Sequence, residues 1–150
     1  MTDIEDCMIF KKTVVGSKAQ KELEILCGWL MEAVELYGWS EHEMFAINTS
    51  LVEAINNAIM HGNQYNDSKG IVLFTSVSAS TVTITIRDEG EGFHPETVPD
   101  PRLPERVLLP CGRGVFLIRS LMDKVLFNNS GNEITMEKYH SADQVMEAAM

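Results

Sequence analysis

Apolar side chains recur along this chain at two spacings, and the spacing changes at defined points. From residue 17 to Gly38 an apolar residue returns every third or fourth position, which is typical of an amphipathic helix. From Thr81 to Arg87 valine and isoleucine alternate with threonine, which is typical of a strand with one buried face. The same analysis along the chain predicts strands over 7–15, 71–78, 81–87, 124–129 and 133–139, and helices over 17–38, 40–61 and 113–122.

Capping and turn signals support these boundaries. Ser40 and Glu43 have the pattern of a capping box, with serine at the helix start and glutamate at its third position. Gly38 and Gly62 stand where a glycine closes each of the first two helices. Asn129-Ser-Gly-Asn reads as a hairpin turn between the last two strands. The order β-α-α-β-β-loop-α-β-β predicts an α/β two-layer sandwich, a mostly antiparallel mixed sheet with helices on one face.

The segment over 89–111 carries no predicted element and contains all five prolines of the chain. A loop of this length in a compact domain is usually functional or disordered. The chain has 150 residues and no linker-like stretch. These features predict a single domain over 1–150, with the last ten residues frayed.

Charge and composition exclude several classes of function. Twelve Lys and Arg against 22 Asp and Glu give a net charge of −10, which is unsuited to binding a nucleic-acid backbone. No apolar run approaches the roughly 20 residues of a membrane helix, and the acidic start lacks the bases of a secretory signal. Three scattered cysteines (Cys7, Cys27 and Cys111) indicate reduced thiols. We therefore expect a cytoplasmic protein that binds neither nucleic acid nor membrane.

The first segment with candidate chemistry lies at the end of the second predicted helix. Glu53, Asn57 and His61 are spaced four residues apart, so a helix places them on one face, away from the apolar stripe. A carboxylate and a carboxamide oxygen are hard ligands suited to Mg²⁺ or to positioning a hydroxyl. Taken alone, the segment is equally compatible with a solvated helix face closed by Gly62.

The second segment, Asp88-Glu-Gly90-Glu-Gly92, directly follows a strand. Glycines at alternate positions allow sharp turns and close approach of the backbone to a ligand. Asp88 could accept a hydrogen bond from an exocyclic amine. Alone, the segment is more often a plain acidic turn.

The third segment, Gly112-Arg113-Gly114, opens the third predicted helix. Backbone N–H groups at a helix start bind phosphate, and Arg113 adds a charge that could reach a terminal phosphate. The alternative is a glycine-rich turn with an incidental arginine. The lysine and hydroxyl residue of a Walker P-loop are absent.

Together and in this order, the three segments resemble the nucleotide-binding boxes of the GHKL ATPase and kinase superfamily. Within it the chain is most similar to the anti-sigma factor serine/threonine kinases. The first box reads Glu53-Ala-Ile-Asn-Asn-Ala-Ile-Met-His-Gly, and the third reads Gly112-Arg-Gly-Val-Phe-Leu-Ile-Arg-Ser-Leu-Met-Asp. The resemblance covers residues 40–139 and implies the Bergerat ATP-binding fold.

The resemblance also implies ATP and Mg²⁺ as ligands and assigns roles to individual residues. Asn57 matches the Mg²⁺ ligand, Asp88 the residue that binds the adenine amino group, and Glu53 the catalytic base. The loop over 93–111 would close over the phosphates. One departure concerns the arginine that the family often has before the phosphate glycines, because Pro110 and Cys111 stand there in this chain. The nearest arginines are Arg106 and Arg113, and either could contact the γ-phosphate. The glycines of the second and third boxes match Gly90, Gly92, Gly112 and Gly114.

By the same resemblance, the substrate would be a small antagonist protein of the anti-anti-sigma, STAS type, and the target a sigma factor or a similar regulator. A homodimer with contacts from the first strand and first helix is implied as well. Two alternatives stay open: an ATP-binding partner-switch module without catalysis, and the catalytic domain of a histidine kinase. The second is disfavoured because the helix over 17–38 contains no histidine. His42, His94 and His140 are expected to be ordinary surface residues.

Overall fold

The computed structural model describes residues 6–92 and 113–141. The loop predicted over 93–111, Gly112 and residues 142–150 lie outside this part. The described helices and strands are, in chain order, β1 (Cys7–Val15), α1 (Ala19–Leu36), α2 (Glu41–Asn57), β2 (Gly70–Ser78), β3 (Thr81–Arg87), α3 (Arg113–Leu121), β4 (Lys124–Phe127) and β5 (Glu133–Tyr139). A short 3₁₀ turn (Gly16–Lys18) precedes α1, and a π turn (Ala58–Gly62) follows α2.

The described strands form one sheet in the order β1-β2-β3-β5-β4, and each neighbouring pair is antiparallel. Helix α1 packs over β1 and β2, α2 contacts β3 and β5, and α3 lies beside α2 near β4. The helices therefore cover one face of the sheet, and the predicted fold class is confirmed.

The core lies between the helices and the covered face of the sheet. Val82, Ile84 and Ile86 of β3 are buried, as the alternation with threonine predicts, and they face a layer that includes Ile47 and Leu51 of α2. Threonines at the intervening positions of β3 are only partly buried on the open face. One-sided burial of this kind keeps the strand register fixed, because a one-residue slip would expose every apolar side chain.

Several predicted boundaries shift by one or two residues, such as those of the helix predicted over 17–38, which spans Ala19–Leu36. Two others differ for a local reason. The last predicted strand before the hairpin ends at Phe127 because the Asn128 side chain accepts hydrogen bonds from the N–H groups of Asn132 and Glu133. The α-helix predicted to reach residue 61 ends at Asn57 and continues as the π turn. Gly38 has the predicted role after α1, with φ of +87°.

The capping box at the start of α2 is confirmed and is larger than predicted. The Ser40 hydroxyl accepts the Glu43 N–H, and the Glu43 carboxylate accepts the Ser40 N–H. Glu43 also contacts the ring of His140 and accepts the N–H of Ser141. Burial raises the pKa of Glu43, but the hydrogen bonds from His140, Ser141 and Ser40 outweigh it and lower the pKa to about 2. The expectation that His140 is an ordinary surface residue is therefore wrong.

Across the two described ranges of the chain, no helix has both the length and the apolar character needed to cross a bilayer.

Candidate active site

The three predicted segments converge on one open cleft of about 550 Å³. Its walls come from the end of α2 and the π turn, the loop after β3, the start of α3 and the turn between β4 and β5. Of the predicted site residues that the structure describes, Asn57, Asp88, Gly92 and Gly114 line the cleft, and Glu53, Gly90 and Arg113 do not. Segments far apart in the sequence thus share one site.

Gly114 is the point at which the first and third segments meet. A Cβ atom added there would lie 3.0 Å from Oε2 of Glu53 and 3.0 Å from Nδ2 of Asn57. Those distances are tighter than nearly all real Cβ contacts, so the absence of a side chain lets α3 approach α2 this closely. The carboxylate and the carboxamide are consequently held against the first turn of α3.

The start of α3 suits an anion. The first N–H groups of a helix have no partner within the helix, and the helix dipole places partial positive charge there. Arg113 is the first residue of α3 and is exposed. Gly112 lies outside the described residues, so its predicted phosphate contact stays a prediction.

The donor set beside Gly114 fits Mg²⁺ only as part of a shared shell. Among the residues that the structure describes, no group of three or more His, Cys, Asp or Glu could hold a metal ion. Glu53 and Asn57 still bring a carboxylate oxygen and a carboxamide oxygen to one place. Mg²⁺ is usually held by one or two protein ligands together with substrate phosphates and water, so these residues fit that role.

Asp88 stands at the end of β3 and points into the cleft. Its N–H donates to the Asn132 carbonyl at 2.9 Å, and its Oδ1 accepts the Gly90 N–H at 2.7 Å. Burial raises the pKa of Asp88 above its ordinary value, and the Gly90 N–H and the charge of Lys69 offset only part of that rise. Its second carboxylate oxygen faces Gly62.

Glycines of the second segment are required by close backbone contacts. A Cβ at Gly90 would collide with the Gly62 carbonyl, and one at Gly92 would collide with the Ser130 carbonyl. Gly92 also has φ of +85°, a conformation that side chains rarely adopt. The second segment is therefore held between the π turn and the turn that joins β4 to β5.

Comparisons with known proteins identify the family of the chain. A family model described as "Histidine kinase-like ATPase domain" matches residues 17–138. The chain is 33% identical over 115 residues to Serine-protein kinase RsbW of Oceanobacillus iheyensis, covering 72% of this chain and 73% of that protein. The chain belongs to the RsbW family of histidine kinase-like ATPase domains.

Further RsbW relatives support the family assignment, and a solved structure supports the fold. Serine-protein kinase RsbW of Staphylococcus aureus strain JH9 is 36% identical over 101 residues, which cover 62% of this chain and 64% of that protein. The solved RsbU and RsbW domains of Rv1364c from Mycobacterium tuberculosis match with a TM-score of 0.55 and 16% identity, over 87% of this chain and 32% of that chain. The latter similarity concerns the fold alone. The family predicted from the three segments is confirmed.

One positioning residue of this RsbW-family domain was missed from sequence. Asn63 is buried; its Nδ2 donates to the Gly70 carbonyl at 3.0 Å, and its Oδ1 accepts the Glu89 N–H at 2.8 Å. The Glu89 carboxylate in turn accepts the Gly70 N–H. Asn63 thus ties the π turn to the start of β2 and to the second segment. Its position directly after Gly62 was the only available signal, and it suggested no more than a helix end.

The apolar floor of the cleft was also missed. It can receive a flat, largely apolar ring, with Asp88 available to a polar edge. Its members belong to five helices and strands and to the π turn, and to the core pattern of each, so nothing in the sequence distinguishes them from ordinary core residues. They are Ala54, Ala58, Ile86, Val115, Phe127 and Ile134.

Besides Glu91 and Glu133, Lys69 and His61 also line the cleft. Lys69 is half-buried, and its charge offsets part of the rise in the pKa of Asp88. His61 lines the cleft as well, although the π turn departs from the helical spacing that predicted it. Sequence analysis gave no reason to select Lys69, because it lies in a polar turn before β2.

Proposed function

We propose that this chain is an ATP-dependent serine/threonine protein kinase of the anti-sigma factor type. It transfers the γ-phosphate of ATP to a hydroxyl of a small antagonist protein of the anti-anti-sigma, STAS type, and it sequesters a sigma factor or a similar regulator in the cytoplasm. The observation that carries this proposal is the meeting of Glu53 and Asn57 with Gly114 at the start of α3. The names of the RsbW relatives, which are serine-protein kinases, support it.

Adenine recognition would rest on Asp88 and the apolar floor. A carboxylate that already accepts the Gly90 N–H on one oxygen keeps lone pairs for the exocyclic amine of adenine. Gly90 and Gly92, where any Cβ would collide with a neighbouring backbone carbonyl, fix the loop that carries Asp88. Together these groups provide one directional hydrogen bond and a hydrophobic surface for the ring.

Phosphate binding would rest on the α2–α3 contact. Asn57 would hold Mg²⁺ together with phosphate oxygens; when bound, the ion neutralises phosphate charge. The glycines Gly112 and Gly114 would let backbone N–H groups reach the phosphates, and Arg113 would approach the terminal phosphate from solvent. Each of these groups favours negative charge at the same end of the cleft.

Glu53 would act on the acceptor hydroxyl. The hydroxyl oxygen forms a bond to the γ-phosphorus while the bond from that phosphorus to the ADP oxygen breaks, and the hydroxyl proton passes to the Glu53 carboxylate. Most of the rate enhancement would come from positioning the reactants and neutralising charge, because phosphoryl transfer needs little covalent chemistry from the protein. A module that only binds nucleotide has no need of a carboxylate at this position.

A homodimer is part of the proposal. Strand β1, which is the first strand in the sheet order, exposes Ile9 and Val15, and α1 exposes Trp29. Such surfaces support association of two copies. Sedimentation of the purified chain as a monomer at micromolar concentration would remove this part of the proposal.

The kinase proposal is tested by incubating the chain with labelled ATP, Mg²⁺ and the antagonist protein encoded nearby. We expect a stable phosphoserine or phosphothreonine on the antagonist. Glu53→Gln keeps the size of the side chain and removes the base, so transfer should fall by about 10²–10⁴-fold while nucleotide binding survives. A wild-type chain that binds ATP and exchanges partners but transfers no phosphate would instead be a regulatory module.

A further inference from the structure

The outward face of α2 and the π turn that follows it carry an uncharged stripe beside the proposed catalytic base. Phe45, Val52 and Met60 are 64%, 42% and 42% exposed. The polar positions between them are exposed or half-buried and carry no charge. They are Asn48, Thr49 and Asn56.

The stripe is unusual in its surroundings. Lys, Arg, Asp and Glu make up 23% of the chain, and the net charge is −10, yet no charged residue interrupts these six positions. The outward face of α1 also exposes Ile25, Trp29 and Leu36, but there exposed glutamates stand between the apolar residues. Depletion of charge is the compositional mark of the centre of a protein interface.

The stripe lies next to the helix face that carries the predicted site residues. Val52 and Asn56 each stand one position before a residue of the predicted polar face, Glu53 and Asn57, and Met60 follows in the π turn. Successive residues on an α-helix are about 100° apart, so the α2 part of the stripe borders the face that carries Glu53. From Phe45 to Asn56 it extends about 16 Å at 1.5 Å per residue.

We propose that this stripe is the docking surface for the protein that supplies the acceptor hydroxyl. The inference rests on the proposed function. A serine or threonine that reaches Glu53 must belong to a protein that contacts the surface next to Glu53. The surface there is apolar and neutral, so the partner presents an uncharged patch with apolar side chains next to its acceptor serine or threonine. Specificity would then come from fit and desolvation more than from charge pairing.

The test measures direct binding of the nearby-encoded antagonist protein to the full chain loaded with a non-hydrolysable ATP analogue. We expect both Val52→Asp and Val52→Lys to weaken binding by about tenfold or more, because either charge must be desolvated in the contact. The matched controls are Leu126→Asp and Leu126→Lys. Leu126 is 52% exposed and lies on β4, on the open face of the sheet, and these variants should bind like the wild type.

Several results would overturn the docking proposal. Binding unchanged in both Val52 variants would do so, as would weakening by one sign of charge only, which would indicate an electrostatic contact. A change in sedimentation of the Val52 variants with unchanged antagonist binding would assign the stripe to a second copy of the chain. Thermal melting and ATP binding of each variant check that it is folded.

The outcomes separate this inference from the kinase proposal. Stripe-dependent binding without phosphate transfer would contradict the kinase activity and leave the docking surface standing. Phosphate transfer that does not depend on the stripe would contradict the docking surface alone. A wild-type chain that neither binds nor phosphorylates the antagonist would contradict both.

Discussion

The Glu43 carboxylate lies 2.8 Å from Nδ1 of His140, so the first turn of α2 is joined to the residue that follows β5. The two residues are 97 positions apart in the chain, and the ring of His140 also packs against Trp39 with ring centroids 5.0 Å apart. Trp39 in turn donates from Nε1 to the Ser78 carbonyl at 2.9 Å. One carboxylate thereby links the helix layer to two strands of the sheet.

This link predicts a pH-dependent contribution to stability. The pKa of Glu43 is lowered from 4.5 to about 2, so the stabilisation is fully present above pH 4.5 and is lost as the pH falls towards 2. Glu43→Gln should lower the free energy of unfolding at pH 7 by about 2 kcal/mol, since charged hydrogen bonds of a buried group are lost. Urea unfolding between pH 3 and 7 measures both effects.

The control for this prediction is Glu41→Gln, an exposed glutamate in the same turn of α2. It should leave both the stability and its pH dependence close to those of the wild type. Equal pH dependence in the wild type and in Glu43→Gln would show that the carboxylate does not contribute in this way.

Asp88 predicts a specific defect in nucleotide binding. Asp88→Asn keeps the shape of the side chain but replaces an acceptor by an amide that can turn a donor towards the adenine amine. Affinity for ATP should fall by roughly 10–100-fold, the usual range for a hydrogen bond to a charged group. Calorimetry with ATP measures this loss. Glu91→Gln, at another acidic position of the cleft lining, should change the affinity little, and wild-type affinity in Asp88→Asn would remove Asp88 from the adenine site.

The close contact at Gly114 predicts that a substitution there lowers activity without an equal loss of stability. Gly114→Ala places a Cβ 3.0 Å from both Glu53 and Asn57, so it should displace them and reduce phosphate transfer by at least about tenfold. Alanine is the better helix former, by up to about 1 kcal/mol, so the melting temperature need not fall in parallel. Steady-state transfer and thermal melting are measured on the same preparation.

Gly28 provides the matched control for Gly114. It lies within α1, and a Cβ there would meet no atom within 4 Å. Gly28→Ala should stabilise the fold by up to about 1 kcal/mol and leave transfer unchanged. If both alanine variants retain full activity, the closeness of α2 and α3 at Gly114 is not needed for catalysis.

Thr75 predicts a stabilising substitution. Its side chain on β2 is fully buried, and its hydroxyl is one of two buried side-chain groups in the described part of the chain without a hydrogen-bond partner. Thr75→Val keeps the shape and removes the unpaired hydroxyl, which should raise the free energy of unfolding by about 1 kcal/mol. Thr85→Val is the control, because the Thr85 hydroxyl bonds that of Thr135 at 3.1 Å and its loss should stabilise nothing. Denaturant unfolding of the pair decides the matter.

Local patterns in the sequence were sufficient to predict the elements. The alternation from Thr81 to Arg87 and the capping box at Ser40 act over a few residues, and the structure has both where they were predicted. Long-range contacts were not predictable in the same way. In the sequence, Asn63 looks like an ordinary helix end, and only the fold brings the Gly70 and Glu89 backbones to it. His140 looks like a surface residue, and only the fold brings Glu43 to it.

The candidate site was predictable because three motifs occur in one order along the chain. No single motif was sufficient. Glu53, Asp88 and Gly114 are each unremarkable alone, and their resemblance to family boxes is what indicated a shared cleft. Physical reasoning from the sequence could not have located the apolar floor, because residues such as Ile86 and Ile134 serve the core and the cleft with the same side chain.

The contact at Gly114 has a consequence for how this protein can change. The carboxylate of Glu53, the carboxamide of Asn57 and the first turn of α3 occupy one small volume, with no side chain between them. A shift of either helix therefore changes the position of the Glu53 carboxylate relative to the first turn of α3. In the proposed kinase, the placement of the proton acceptor and the binding of phosphate are coupled through this contact, so we expect a substitution that moves one helix to change both.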